Sequence, residues 1–315
     1  MEKAVNLNNI NMEYTLKKGT LKALSDINIS INKGEVVGVI GSNGAGKSTL
    51  IKVLTGVLKP TSGQVEINGI IPWKSDKEFK KSIGIVFGQR SQLWWELPVI
   101  DSFKVHELLY GKDSKYTLEF LNDIEEVVPI KALLNKPARQ LSLGQRMLCD
   151  IILSMYHNPK ILFLDEPTIG LDAYIKSSIR QMIRTINEKY QTTILITSHD
   201  LIDIQETCSK VILLNKGQTI YDGRLDTFQK KYNDEVEITL KSPVHHSMGD
   251  VVRKNGFSYR TTISGEIVLF GKRDGHSLKE VLSYIIQNVP FEDITVTSIS
   301  IEEMAKKIYK DSNYE

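Results

Sequence analysis

The sequence predicts an α/β fold followed by a small α+β unit, and three observations carry that expectation. Short apolar runs at residues 36–40, 161–164 and 192–197 each end in glycine, carboxylate or histidine. Buried parallel strands have this form, with polar chemistry exposed at their carboxyl ends. Helical periodicity follows the first two of these runs. Finally, residues 233–315 alternate in the order β-α-β-β-α-β, the pattern of a ferredoxin-like sandwich.

Residues 6–14 and 26–32 alternate apolar and polar, as antiparallel strands do, with a turn at Lys17-Lys18-Gly19. Tyr14 ends the first of them, either as a half-buried strand tyrosine or as a ring on which an adenine stacks. The strand at 36–40 runs into Gly41-Ser42-Asn43-Gly44-Ala45-Gly46-Lys47-Ser48-Thr49, and an apolar-periodic helix leaves it. The spacing is that of a phosphate-binding loop. Its glycines let successive backbone amides turn toward an anion, Lys47 brings a point charge, and the Ser48 hydroxyl is suited to Mg2+. The positive end of the helix dipole adds to the same field.

A turn at residues 59–63 precedes a strand at 64–69, and a further strand at 82–87 ends in Gly88-Gln89, whose amide can reach Mg2+ or an attacking water. From 91 to about 155 the pattern is helical, strongest at 102–110 and 118–127, which makes this a helical subdomain inserted between strands. Trp94-Trp95 opens it, read first as core and alternatively as a surface that receives a partner's helix. In Leu141-Ser142-Leu143-Gly144-Gln145-Arg146, Ser142 is placed to cap a helix running through Met155. Such a helix start can also seat an anion.

The apolar run at 161–164 ends in Asp165-Glu166. Asp165 can hold Mg2+, and Glu166 can accept a proton from an attacking water. After a turn through Asp172, a helix is expected over 173–188, then the strand at 192–197 and Ser198-His199-Asp200. His199 at a strand end can donate to a terminal phosphate oxygen. A hairpin at 210–215 and 218–221, around Lys216-Gly217, closes the first domain.

Composition bounds the rest. Hydrophobic residues make up 41% and charged residues 25% of the 315, ordinary for a globular protein with one large and one small domain. Forty Lys and Arg against 38 Asp and Glu leave no broad nucleic-acid footprint. Cys149 and Cys208 are isolated and expected to be buried, reduced thiols. The first residues show no signal-peptide pattern, and no stretch approaches the roughly 18 consecutive apolar residues of a membrane span.

The order of phosphate loop, Gln89, Leu-Ser-Leu-Gly-Gln at 141–145, Asp165-Glu166, Asp172 and His199 resembles the ATP-binding cassette (ABC) ATPases over residues 4–232. On that resemblance the fold is a phosphate-loop NTPase with an antiparallel β subdomain and an inserted helical subdomain. Tyr14 would stack on adenine, Gln89 would be the hinge glutamine, and Ser142, Gly144 and Gln145 would belong to the signature. Asp172 would be the dimer-loop acid and His199 the switch histidine. The family's usual Ser-Gly-Gly-Gln has Leu143 at its first glycine here. The resemblance implies that ATP with Mg2+ is bound between two subunits, the signature of one covering the nucleotide of the other. It also implies a homodimer at the cytoplasmic face of the membrane that powers a separate permease. The run Gly88-Gln89-Arg90-Ser91-Gln92-Leu93-Trp94-Trp95 and the stretch 299–304 resemble ATPases of daunorubicin-type exporters, which makes export the expected direction. The competing function is a soluble relative acting on ribosomes or DNA. Translation-factor relatives resemble two tandem cassettes, and chromosome-maintenance relatives insert a long coiled coil before the signature; this chain has neither. A third possibility, a small-molecule kinase, gives no reason for the signature or His199.

The domain boundary is expected at 232/233, with 233–315 an accessory or regulatory unit. Its ten Lys and Arg against thirteen Asp and Glu disfavour RNA binding, and His245-His246 is expected to be a solvent-exposed loop pair rather than a metal site.

Overall fold

The computed structural model describes residues 2–16, 19–74, 76–88, 90–232, 235–241, 254–262, 266–272 and 275–298. The chain divides into two compact units, Met1–Leu225 and Asp226–Glu315.

The first unit holds two sheets. Strands β1 (Lys3–Leu16) and β2 (Gly19–Asn32) pair antiparallel. Pairing continues as far as Leu16 with Gly19, where the hairpin tip is exposed at Leu16 and Leu21. The larger sheet begins with β3 (Val36–Gly41), and β4 (Ser62–Ile67) completes the smaller one in the order β2-β1-β4. With β5 (Ile83–Phe87), β6 (Ile161–Asp165), β7 (Thr193–Ser198), β8 (Lys210–Asn215) and β9 (Gln218–Arg224), the larger sheet runs β5-β6-β7-β3-β8-β9. Its first five strands are parallel and β9 is antiparallel at the edge. Every residue of β3 and β7 is buried, which is why their sequences are apolar without alternation. Helix α1 (Lys47–Leu54) places Leu50, Ile51 and Val53 in a core shared with Leu7 and Ile27 of the small sheet and Val39 and Leu195 of the large one.

Parallel register then positions the chemistry. Ile40 pairs with Ser198, Thr197 with Asp165, and Asp165 with Phe87. The carboxyl ends of four adjacent strands therefore finish in one row, beneath the phosphate loop.

Three short helices escape the sequence pattern: α2 (Asp76–Ser82), α8 (Leu201–Thr207) after β7, and the helix after β9 over Leu225–Tyr232. The inserted subdomain contains α3 (Val99–Tyr110), α4 (Ser114–Glu125), α5 (Lys131–Leu134) and α6 (Leu143–Met155), and α7 (Ala173–Tyr190) follows β6. Tyr156 is fully buried at the end of α6, with rings of Phe103, Tyr116 and Phe120 at 5.9, 5.3 and 5.5 Å. Trp94 and Trp95 are not core: they are 54% and 52% exposed. They lie in a loop held by its backbone, with the Trp95 carbonyl accepting from the Arg139 amide at 3.0 Å and the Trp94 amide donating to Ser102 Oγ at 3.3 Å. Cys149 and Cys208 are free and buried, and burial pushes both thiols up to about 12.

Helix α9 (Leu225–Tyr232) opens the second unit, whose strands are β10 (Glu235–Lys241), β11 (Ser258–Thr261), β12 (Ile267–Lys272) and β13 (Asp293–Ser298). They pair antiparallel in the order β11-β12-β10-β13, the first strand lying between third and fourth as a ferredoxin-like sandwich requires. Val236, Ile238 and Leu269 bury against Val281 and Ile285 of α10 (Gly275–Asn288). A helix is expected over 248–254, of which residues 248–253 lie outside the described residues, as do His245-His246 and the stretch 299–304.

Candidate nucleotide-binding and catalytic site

The phosphate loop joins β3 to α1, and glycine is required where it turns into the helix. Gly46 has φ 107°, and a Cβ there would sit 2.8 Å from the Ala23 carbonyl oxygen. Lys47, the first helical residue, is 5% exposed. Its Nζ donates to the Gly41 carbonyl at 2.8 Å and to that of Ser42 at 3.4 Å, and lies 3.5 Å from Glu166 Oε1. The ammonium is thus held by its own loop, pointed at the end of β6. Ser42, Asn43 and Gly44 are exposed on the loop, whereas Ala45 is buried beneath it and Thr49 is half-buried in α1.

Ser48 Oγ lies 3.5 Å from Asp165 Oδ1, which also accepts from Thr197 Oγ1 at 2.6 Å. The same Thr197 hydroxyl accepts from the Glu166 amide at 3.0 Å. One side chain of β7 therefore orients both carboxylate residues at the end of β6. Glu166 adopts φ 53°, a left-handed conformation that costs a non-glycine residue about 1–2 kcal/mol and has to be held by its surroundings. Its Oε2 is 3.4 Å from His199 Nδ1, so the carboxylate stands between Lys47 and His199. A cavity of about 700 Å³ opens here, lined among others by Asn43, Ser48, Arg90, Asp165 and Glu166. Ser48 and Asp165 offer hard oxygen donors, the kind Mg2+ takes. Among the described residues there is no cluster of three or more His, Cys, Asp or Glu side chains that could hold a metal.

Expected site residues thus fall into two groups. Lys47, Ser48, Asp165, Glu166 and His199 come together, whereas Ser142, Gly144, Gln145 and Asp172 sit at the starts of α6 and α7. No hydrogen bond or ion pair among the described residues joins this second group to the first. Ser142 and Gln145 form a capping box: the Ser142 hydroxyl oxygen accepts from the Gln145 amide at 3.2 Å, and Gln145 Oε1 accepts from the Ser142 amide at 3.1 Å. The first-turn amides of Leu143 and Gly144 have no partner among the described residues, which leaves an anion seat at the helix start. Asp172 caps α7, accepting from the Ile175 amide at 3.0 Å. Tyr14 is half-buried against the core, and Gln89 lies outside the described residues.

Asp150 of α6 was missed. It is buried, accepts from the Gln92 amide at 2.8 Å, and burial pushes its carboxyl up to about 6 against those hydrogen bonds. Thr197 was missed as well, because a threonine within an apolar strand carries no mark of a functional hydroxyl.

Residues 24–169 match the family model described as ABC transporter. The chain is 30% identical over 231 residues to the ABC transporter ATP-binding protein NatA of Bacillus subtilis, covering 73% of this chain and 94% of that one. It is 29% identical over 315 residues to the methionine import ATP-binding protein MetN 2 of Bacillus cereus, covering 97% and 89%. Among solved structures, cbiO1 of Clostridium perfringens, part of the transporter complex cbiONQ, superposes with TM-score 0.65 at 30% identity, over 73% of this chain and 92% of that one. A dimeric ATP-binding cassette in a post-hydrolysis state with ADP and Pi superposes with TM-score 0.63 at 26% identity, over 70% and 98%. With the phosphate loop, both carboxylates and the histidine gathered at one sheet edge, the chain belongs to the ABC transporter family, as an ATP-hydrolysing subunit.

Proposed function

We propose that residues 1–232 bind ATP with Mg2+ between two identical copies, and that hydrolysis powers a separate permease from the cytoplasmic face of the membrane. The observation that carries this reading is the placement of Glu166 between Lys47 and His199. A terminal phosphate would take over Lys47 as its counter-charge and leave Glu166 to accept the proton of an attacking water. His199 would donate to the phosphate. Ser48 and Asp165 would hold Mg2+, which supplies charge neutralisation when bound, and Gln89 would orient the water. The unpartnered amides at the start of α6 and the Ser142 hydroxyl hydrogen would complete the phosphate cage from the second copy, with Asp172 beside that contact. No helix among the described residues is long and apolar enough to cross a membrane, in keeping with a peripheral subunit whose transport path lies in a partner. Exposed Trp94, Trp95 and Leu97 offer that partner an apolar surface.

Export is the direction we favour, on the resemblance of the 88–95 run to exporter ATPases. Import is favoured by a different observation: the similarity to the methionine import protein spans both units of this chain. Residues 233–315 would be the accessory, regulatory domain in either case. Inside-out vesicles carrying the subunit and its co-purifying membrane protein separate the two directions. ATP added outside is expected to drive an amphiphilic dye inward; ATP-driven loss of preloaded methionine would establish import instead.

A further inference from the structure

Beneath the loops that carry Glu166 and His199 lies a buried carboxylate which the chemistry above does not use. Asp203, in α8, is 3% exposed. Its Oδ2 accepts from Ser198 Oγ at 3.0 Å and from Thr168 Oγ1. Its Oδ1 accepts from Arg180 Nη1 of α7 at 2.9 Å. Arg180 in turn places Nε 2.9 Å from Glu206 Oε2, so the charge pair is anchored from both helices. Ser198 immediately precedes His199, and Thr168 follows Glu166 by two positions. Ser198 Oγ also accepts from the Asp200 amide at 2.9 Å, which turns the chain at the histidine.

Desolvating a carboxylate costs several kcal/mol, and apolar packing often serves stability as well. What an apolar residue could not do is hold two hydroxyls, one from the end of β7 and one from the turn after β6, at one point. Glu166 needs such restraint, since its left-handed backbone persists only where the surroundings over-determine it. The geometry points to Asp203 as a positioning residue for ATP hydrolysis, fixing the spacing of Glu166 and His199 by tethering Thr168 and Ser198 to a single carboxylate. Arg180 holds that carboxylate in place. The inference rests on Glu166 acting as the base, and its test is arranged so that the two can fail separately.

Asp203→Asn in the full chain keeps the shape and removes the charge. Turnover should fall about 10- to 100-fold, the loss expected when reacting groups drift by a fraction of an ångström, while KM for ATP stays within about twofold. Thr168→Val and Ser198→Ala, which leave the Arg180–Asp203 pair intact, should each lower kcat and retain KM. Thr168→Ser, which keeps the hydroxyl, should restore it. On the Asp203→Asn background neither Thr168→Val nor Ser198→Ala should lower kcat further, because all three act through one point. Glu166→Gln is measured alongside. Parental turnover in Glu166→Gln overturns the base assignment on which the inference stands. Abolished turnover there, with parental kcat in Asp203→Asn, overturns the positioning role alone. Additive losses, or equal changes in KM and kcat, also overturn it. Should Asp203→Asn not fold, the two hydroxyl variants decide: parental kcat in both rejects the role.

Discussion

Gly144 illustrates how tightly the start of α6 is set. A Cβ added there would lie 2.4 Å from Ile175 Cγ2, 3.2 Å from its Cγ1 and 3.3 Å from its Cβ. Ordinary contact begins at 3.4 Å, so Gly144→Ala demands that the first turns of α6 and α7 separate by about 1 Å. Isoleucine on a helix has nearly one χ1 rotamer and yields little by rotation. Overpacking of this kind costs about 1–3 kcal/mol, offset by about 0.5–1 kcal/mol from the better helix propensity of alanine. A net loss of up to about 2.5 kcal/mol remains, and a domain of this size loses about 2–4 °C in Tm per kcal/mol. The functional effect should exceed this. In the proposed dimer the Leu143 and Gly144 amides face the partner copy's phosphate, and displacing them by about 1 Å should cost up to about 100-fold in turnover. Scanning calorimetry and steady-state ATPase rates measure the two effects, and Gly144→Ala/Ile175→Ala supplies the control, since removing the isoleucine branch should recover most of both. A single variant as stable and active as the parent, or a double variant showing no recovery, would refute the steric argument.

Three further outcomes follow from burial. His106 is half-buried with its ring against those of Tyr110 and Tyr156, its Nδ1 has no hydrogen-bond partner among the described residues, and desolvation holds it well below the usual range, at about 4. The unfolded chain therefore binds more protons as pH falls from 6.5 toward about 4, and the folded state loses stability over that window. Asp150, pushed the other way, partly offsets this below about pH 6. The Tm advantage of His106→Phe over the parent is accordingly expected to widen across the window, and a pH-independent difference would contradict the burial. Cys149 and Cys208 should resist iodoacetamide at pH 8 in the folded chain and react in guanidinium; mass spectrometry showing prompt alkylation of the native protein would contradict their placement. Trp94→Ala/Trp95→Ala should leave Tm within about 1 °C, as exposed substitutions do, yet abolish stimulation of ATPase activity by the membrane partner. Unchanged stimulation would remove these indoles from the docking surface.

How much of this was legible in the sequence depended on whether a residue's task left a periodic or spacing signal. The phosphate loop, Asp165-Glu166 and His199 each follow an apolar run, and parallel register brings such ends together without further information. Thr197 and Asp203 left no signal: one hides in a strand that is buried throughout, the other in a seven-residue helix too short for periodicity. Trp94 and Trp95 misled, since adjacent indoles look like core. Exposure follows from the loop being fixed by its amides and carbonyls rather than by its side chains, with Arg146 lying 5.1 Å over the Trp95 ring. Gly144 carried a second meaning as well. Its place in the signature indicated close approach to a phosphate, whereas contact with Ile175 becomes visible only once two helices are packed.

The central claim, that ATP joins two copies until Glu166 promotes its cleavage, is tested most directly by the mass of Glu166→Gln in solution. Analytical ultracentrifugation with ATP and Mg2+ should show a stable dimer that hydrolyses nothing, and a monomer when ADP replaces ATP. A variant that stays monomeric with ATP, or turns it over at the parental rate, would contradict the account.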